Sequence, residues 1–73
     1  MNARVDFPGN RLLRLRTVTQ ITGLSRSEVY RRIAGGSFPK PVKIGPRASA
    51  WIESEVAAWV SERVTARNDE VAA

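Results

Sequence analysis

The stretch TVTQITGLSRSEVYRRIAGG, residues 17 to 36, decides the fold because it carries two helix start signals with a glycine between them. Thr17 and Gln20 have the T-x-x-Q spacing of a capping box, in which each side chain accepts a hydrogen bond from the other residue's backbone N–H. Gly23 is expected to end this first helix, since glycine adopts the left-handed conformation of many helix C-termini without steric cost. The stretch therefore begins with a short helix and a turn.

A second helix is predicted directly after the turn. Ser25 and Glu28 repeat the capping-box spacing, while Leu24 and Val29 occupy the two positions of a hydrophobic staple around that start. Gly35-Gly36 supplies the stop signal. The second helix is therefore expected over about nine residues, 26–34. The two helices together predict a helix-turn-helix.

The second helix has an apolar side and a polar, basic side. Val29 and Ile33 lie one turn apart and are expected to point into the core. The opposite face is where a recognition helix carries the side chains that enter the DNA major groove. The candidate DNA-binding residues on this face are Ser25, Arg26, Ser27, Tyr30 and Arg31. The alternative interpretation is that they are solvated surface residues of an ordinary packing helix.

Length and composition limit what the chain can do. At 73 residues it forms one domain at most, and a domain of that size buries only about 60% of its unfolded surface. The chain has no cysteine and no histidine, which excludes disulfides, Cys/His zinc sites and Ser-His or Cys-His nucleophiles. Few of the side chains that enzymes commonly use for catalysis are therefore present. We therefore expect no catalytic residues, no metal site and no cofactor.

Charge is distributed unevenly along the chain. The net charge is +5, but residues 1–52 hold ten Lys or Arg against two acids, whereas residues 53–73 hold two Arg against five acids. A positive surface of this kind attracts a polyanion and releases counterions from its phosphates. Membrane binding is the competing use, but no stretch approaches the ~20 apolar residues of a span, and the N-terminus lacks the apolar run of a signal peptide. We therefore expect a cytoplasmic protein without a membrane partner.

Two segments precede the helix-turn-helix. Residues 1–10 are polar and without periodicity, so they are expected to form a flexible arm. RLLRLR, residues 11–16, alternates leucine with arginine, which is the period-2 pattern of a short half-buried strand. In the first helix, Val18 and Ile21 are the expected core contacts, joined by Leu24 from the turn.

Residues 37–52 predict a β-hairpin. Two prolines forbid helix there, the run Val42 to Ile44 is expected to alternate inward and outward, and residues 48–52 can return as the partner strand after the Gly45-Pro46 turn. A hairpin that follows a recognition helix is a wing, whose basic residues contact sugar-phosphate or the minor groove. The candidate wing contacts are Lys40, Lys43 and Arg47. Alternatively, these charges only protect an edge strand from aggregation.

Residues 53 to about 67 form the longest periodic segment and predict a packing helix. Its apolar stripe consists of Ile52, Val56, Trp59, Val60 and Val64, with acids at its start and arginines near its end. Trp51 and Trp59 are interpreted as core aromatics rather than as platforms for base stacking. Residues 68–73 are expected to fray. The sequence therefore predicts a small α+β domain over residues 11–67, a winged helix-turn-helix with three helices and a β-hairpin wing.

Four motifs carry a family resemblance over about residues 11–67: RLLRL, TGLSRSEVYRRI, FPKPVKIGPRA and W-x-E-S-E-V-x-A-W-V. With these motifs the chain closely resembles the AlpA family of small phage and prophage regulators, relatives of excisionases with a MerR-like winged fold. The resemblance implies DNA binding in bacteria and mobile elements, either as activators of integrase or excision genes or as recombination directionality factors on attachment-site DNA. It places the recognition helix at Ser25 to Ala34 and the wing at Lys40 to Arg47.

We therefore expect a DNA-binding protein without enzymatic activity that controls excision of an integrated element. It would be an excisionase or an activator of excision genes, with a conventional promoter-binding regulator as the alternative. From another class, it would be a protein-interaction module using the Trp59 helix, or an antagonist of another regulator. The expected partners are double-stranded DNA, further copies of the chain in head-to-tail contact on that DNA, and an integrase. The expected location is the bacterial cytoplasm, at the nucleoid.

Overall fold

The computed structural model describes residues 10–72, with side chains as far as Glu70. Its elements, in chain order, are β1 Leu12–Leu13, α1 Leu15–Thr22, α2 Arg26–Ala34, β2 Val42–Gly45, β3 Ala48–Ile52 and α3 Glu53–Ala72. Helices α1 and α2 form a helix-turn-helix, and strands β2 and β3 form the hairpin after it. This arrangement confirms the predicted α+β winged helix-turn-helix. The predicted arm, residues 1–10, lies outside the described residues apart from Asn10.

Strand β3 lies at the centre of a three-stranded antiparallel sheet with the order β1-β3-β2. On one side Leu13 of β1 pairs with Trp51. On the other side the pairing with β2 shifts register between Lys43 and Gly45, which makes Ile44 the extra residue of a β-bulge. Strand β3 thereby joins the start of the domain to the wing.

A cluster of buried side chains connects the helices to the sheet. Its buried members are Leu13, Val18, Val29, Phe38, Trp51 and Val56, and Leu15, Leu24, Ile33 and Trp59 pack against it. The expected core roles of Val18, Leu24 and both tryptophans are therefore confirmed. Strand β2 is the element that contributes no residue to this cluster, so the wing extends from the core rather than covering it.

The ends of α2 agree with the sequence prediction. The Ser25 hydroxyl oxygen accepts a hydrogen bond from the Glu28 backbone N–H at 3.2 Å, and the Ser25 backbone N–H donates to the Glu28 carboxylate at 2.8 Å. Gly23, after α1, has φ 76°, and Gly36, after α2, has φ 82°. Both glycines therefore have the left-handed backbone that side chains disfavour. The second capping box and the glycine stop signals are confirmed.

The start of α1 differs from the prediction. The helix begins at Leu15 after an extended Arg14, and no side chain caps it, so the predicted Thr17–Gln20 capping box is wrong. The predicted strand over residues 11–16 is reduced to β1, Leu12–Leu13, because the chain then turns into the helix. Leu15 packs against the core from the first turn of α1.

Four apolar side chains expected in the core are instead 38–45% exposed: Ile21, Val42, Ile44 and Val64. The bulge at Ile44 interrupts the expected alternation of the wing strand, since the extra residue of a bulge is left unpaired. In α3 every side chain from residue 61 to residue 70 is exposed, so this part of the helix, with Val64, extends beyond the core cluster. The helix continues past its predicted end near Arg67, to Ala72.

The segment between α2 and β2 is held by both tryptophans. The Trp51 Nε1–H donates to the Pro39 carbonyl at 3.0 Å, and the Trp59 Nε1–H donates to the Ser37 carbonyl at 2.7 Å. Phe38, between those carbonyls, is buried with its ring centroid 5.1 Å from Trp59 in an edge-to-face arrangement. These contacts fix the position of the wing relative to α2. Over residues 10–72, no helix has the length and apolar character needed to cross a membrane.

Candidate nucleic-acid interface

An open groove lies between the N-terminal ends of α1 and α2 and the β2–β3 hairpin, with a volume of about 730 Å³. Its polar lining consists of Arg14, Arg16, Thr19, Ser25, Arg26, Tyr30, Arg47 and Ser49, and its apolar lining of Leu15, Leu24 and Trp51. We call it the arginine groove. The groove is open to solvent along exposed side chains. An extended polymer fits such a shape better than a small molecule, which usually binds in an enclosed pocket.

The capping box positions the α2 side of the arginine groove. Both hydrogen bonds between Ser25 and Glu28 fix the first turn of α2, on which Arg26 is the first helical residue. The pKa of Glu28 lies below the ordinary value for glutamate, chiefly because the Ser25 backbone N–H and hydroxyl hydrogen-bond to it, with a smaller effect of the Arg31 and Arg32 charges. The carboxylate therefore stays ionised at neutral pH and keeps the start of α2 in place.

Tyr30 forms the inner wall of the groove. The residue is 41% exposed, and its ring meets buried Trp51 edge to face, with ring centroids 6.2 Å apart. The Arg26 guanidinium carbon lies over the same tyrosine ring, 5.8 Å from its centroid. Arg26 therefore lies within cation–π distance of an aromatic ring that is itself packed on the core.

The structure brings together four of the eight residues that the sequence predicted for binding: Ser25, Arg26, Tyr30 and Arg47. Ser27 and Arg31 are exposed on α2 but do not line the groove. Lys43 is exposed on β2, opposite Ser49 of β3. Lys40 lines a second cavity, described below, beside α3.

Arg14 and Arg16 line the arginine groove although sequence reasoning did not select them. The leucine–arginine alternation of residues 11–16 indicated a strand, whose arginines would simply point to solvent. The helix in fact begins at Leu15, which places Arg14 and Arg16 at the N-terminal end of α1, across the groove from Arg26. A run of arginines directly before a helix-turn-helix was the signal that could have identified them.

The groove carries positive charge without internal compensation. No carboxylate among the side chains of residues 10–70 forms an ion pair with Arg14, Arg16, Arg26 or Arg47; the ion pair in this part of the chain joins Arg11 to Glu53 at 2.8 Å. That hydrogen bond and charge raise the pKa of Arg11. Guanidinium groups bind phosphates through charge-assisted, often bidentate hydrogen bonds. No group of acidic side chains in the described residues is placed to hold a metal ion.

A second cavity lies on α3 and the segment that joins α2 to β2, and shares no lining residue with the first. We call it the tryptophan groove. It is lined by residues that include Phe38, Lys40, Glu55, Trp59, Glu62 and Arg63. The Arg63 guanidinium carbon lies 5.6 Å from the Trp59 ring centroid. This groove combines an aromatic surface with two carboxylates.

Comparison with known proteins shows what this chain is similar to. A protein of Enterobacteria phage P4, described as "Uncharacterized protein ORF88", is 42% identical over 62 residues, which are 85% of this chain and 70% of that protein. The "DNA-binding transcriptional activator AlpA" of Escherichia coli (strain K12) is 37% identical over 59 residues, 73% of this chain and 84% of that protein. No solved structure shows a significant match. Since the family model described as "Prophage CP4-57 regulatory protein (AlpA)" matches residues 11–64, the chain belongs to the AlpA family.

Proposed function

We propose that this protein binds double-stranded DNA sequence-specifically and regulates an integrated mobile element. The observation that carries the proposal is the arginine groove, which is lined by four arginines: Arg14 just before α1, Arg16 of α1, Arg26 of α2 and Arg47 of the wing. The family's description as a prophage regulatory protein supports a phage-related role, and the similar Escherichia coli protein is described as a DNA-binding transcriptional activator. Such a role belongs in the bacterial cytoplasm, at the nucleoid.

In this proposal α2 enters the major groove as the recognition helix. Arg31 and Ser27, exposed on α2, reach base edges, and arginine can contact guanine O6 and N7 with two hydrogen bonds. Arg14, Arg16 and Arg47 contact phosphates on either side of the helix, which positions it without reading sequence. Lys40 and Lys43 add charge along the wing.

We further propose that the regulated event is excision of the element. The protein would act on attachment-site DNA as a recombination directionality factor, together with an integrase, or at the promoters of integrase or excision genes. The similarity to a phage P4 protein and to a prophage regulatory family supports either mode. Regulation of an unrelated promoter is the alternative.

Several copies are proposed to bind side by side in head-to-tail contact. One recognition helix and one short wing read only a few base pairs, since modules of this size bury about 600–1,000 Å² on DNA. The tryptophan groove on α3 offers Trp59 together with the carboxylates Glu55 and Glu62. The wing strand offers an exposed lysine between exposed Val42 and Ile44. Lys40 and Arg63 balance the two carboxylates inside the groove, but α3 as a whole carries five acids against two arginines and so complements the basic wing in charge. A contact between different surfaces extends along the duplex.

Footprinting on the DNA that flanks the protein's own gene tests the proposal. We expect salt-dependent protection, with log affinity falling linearly with log salt concentration. Protection of attachment-site arms would favour direct excision, and protection of a promoter alone would favour transcription. Fragments carrying one, two and three sites, with circular permutation, test cooperative binding and bending. Independent filling of the sites would contradict self-association, and a lack of salt-dependent affinity would favour a protein-interaction module built on the Trp59 helix.

A further inference from the structure

Arg26 occupies an unfavourable place for a cation. It is the first residue of α2, where the helix dipole presents partial positive charge and disfavours a positive side chain. Its side chain is exposed and forms no ion pair with a carboxylate among residues 10–70. An arginine in such an environment has many accessible rotamers, and ordering it on a ligand lowers affinity. A contact that restricts Arg26 in the free protein would reduce this cost.

Tyr30 supplies that contact. It lies four residues after Arg26, so both side chains are on one face of α2, and the Arg26 guanidinium carbon is 5.8 Å from the Tyr30 ring centroid. A planar guanidinium stacks well on an aromatic face, where the ring's negative electrostatic potential stabilises the cation.

The tyrosine ring is in turn held by the core. It meets Trp51 edge to face at 6.2 Å, Trp51 is fully buried, and the Trp51 Nε1–H is hydrogen-bonded to the Pro39 carbonyl at 3.0 Å. Each contact therefore restricts the next, from a backbone carbonyl in the α2–β2 segment to a guanidinium in the arginine groove. We propose that Tyr30 is a positioning residue that holds Arg26 ready to bind DNA, and that it does so through the tyrosine ring rather than the hydroxyl. This inference rests on the proposed DNA-binding function.

A double-mutant cycle on a cognate duplex tests this role. Tyr30→Phe keeps the ring and should bind within about twofold of the wild type, whereas Tyr30→Leu should bind about threefold to tenfold more weakly, the scale of an exposed cation–π contact and one unrestrained side chain. In an Arg26→Ala background, Tyr30→Leu should have no further effect. Equal losses in both backgrounds would show that Tyr30 affects binding independently of Arg26, and weaker binding by Tyr30→Phe would assign the role to its hydroxyl. Either result overturns the inference.

A measurement without DNA tests the contact itself. The Arg26 side-chain protons should show upfield ring-current shifts in the free protein, and these shifts should persist in Tyr30→Phe and vanish in Tyr30→Leu. Their absence from the wild type overturns the inference. Circular dichroism checks that each variant folds. If Tyr30→Leu does not fold, the chemical shifts and DNA affinities of the wild type and Tyr30→Phe still test the inference. Wild-type protein that binds no duplex refutes the proposed function, whereas normal wild-type binding with an additive cycle refutes this inference alone.

Discussion

Ser25 and Glu28 fix the first turn of α2, and with it the direction of the side chains at the groove. Ser25 lines the arginine groove, but its hydroxyl oxygen already accepts the Glu28 N–H. Its contribution to binding is therefore first a structural one, because it sets where α2 begins.

The capping box should make stability depend on pH. Because the folded pKa of Glu28 is lowered by its hydrogen bonds to Ser25, its stabilisation is complete above the ordinary glutamate pKa of 4.5 and is lost as the pH falls through the lower folded value. Glu28→Gln keeps an acceptor for the Ser25 N–H but cannot titrate. Urea denaturation at several pH values should therefore show a shallower acid loss in Glu28→Gln than in the wild type.

Ser25→Ala is the companion variant, and it should lower the free energy of unfolding by about 1 kcal/mol at neutral pH, as loss of a serine N-cap does. Identical acid denaturation in Glu28→Gln and the wild type would show that the glutamate contributes nothing through its charge.

Arg31→Ala should weaken binding to the cognate site by roughly 1–3 kcal/mol and to a scrambled duplex by much less, since a base contact is specific to the sequence. Fluorescence anisotropy titration of both duplexes provides the measurement. Arg67→Ala is the matched control, because it removes the same charge from an exposed position on α3. Equal losses on both duplexes would make Arg31 a phosphate contact instead.

At the scale of elements, local chemistry explains which parts were predictable. Both ends of α2 carry their own signals, the Ser25–Glu28 box and the glycine pair, so its bounds were predicted correctly. The start of α1 has no cap and is set by where β1 stops pairing with β3. A single sequence does not reveal that long-range pairing.

The residues of the candidate site also divide into those set by local signals and those set by long-range pairing. Arg26 and Tyr30 were predictable because helix periodicity places them on the outer face of α2. Arg14 and Arg16 were not, since their place in the groove depends on the start of α1. The continuation of α3 past Arg67 could have been predicted, because the sequence after Arg67 has no glycine or proline to stop a helix.

The wing and the N-terminal end of α1 should contribute charge rather than specificity. Arg47→Ala, Lys43→Ala and Arg16→Ala should each weaken cognate and scrambled duplexes alike. Each should also flatten the plot of log affinity against log salt by about one unit for every phosphate that the wild-type side chain neutralises. Titrations at four or more salt concentrations measure the slopes, again with Arg67→Ala as control. An unchanged slope for Lys43 or Arg47 would favour the role of protecting the edge strand.

At the scale of the whole molecule, a small core leaves little stability in reserve. Trp59→Ala should lower the free energy of unfolding by roughly 2–3 kcal/mol, less than the 3–5 kcal/mol typical of a fully buried aromatic, because Trp59 is only partly buried. Trp59→Phe keeps the aromatic packing on Phe38 but removes the hydrogen bond to Ser37, and should cost about 1 kcal/mol. Thermal denaturation compares the two variants.

A Trp59→Ala protein of wild-type stability that no longer bound a protein partner, with DNA binding intact, would instead support an interaction role for the tryptophan groove. The same variant separates self-association from DNA contact, because Trp59 is absent from the lining of the arginine groove.

The two indole hydrogen bonds to the α2–β2 segment also make both tryptophans intrinsic spectroscopic probes of that segment. Each tryptophan donates to a carbonyl of that segment, Pro39 for Trp51 and Ser37 for Trp59, and residues 10–72 contain both tryptophans of the chain. Two indole resonances, and the intrinsic emission of two tryptophans, therefore monitor the junction between α2 and the wing. A wing that shifts as it meets the duplex would be visible without any added label, and Trp59→Phe would leave a single tryptophan, Trp51, on the central strand of the sheet.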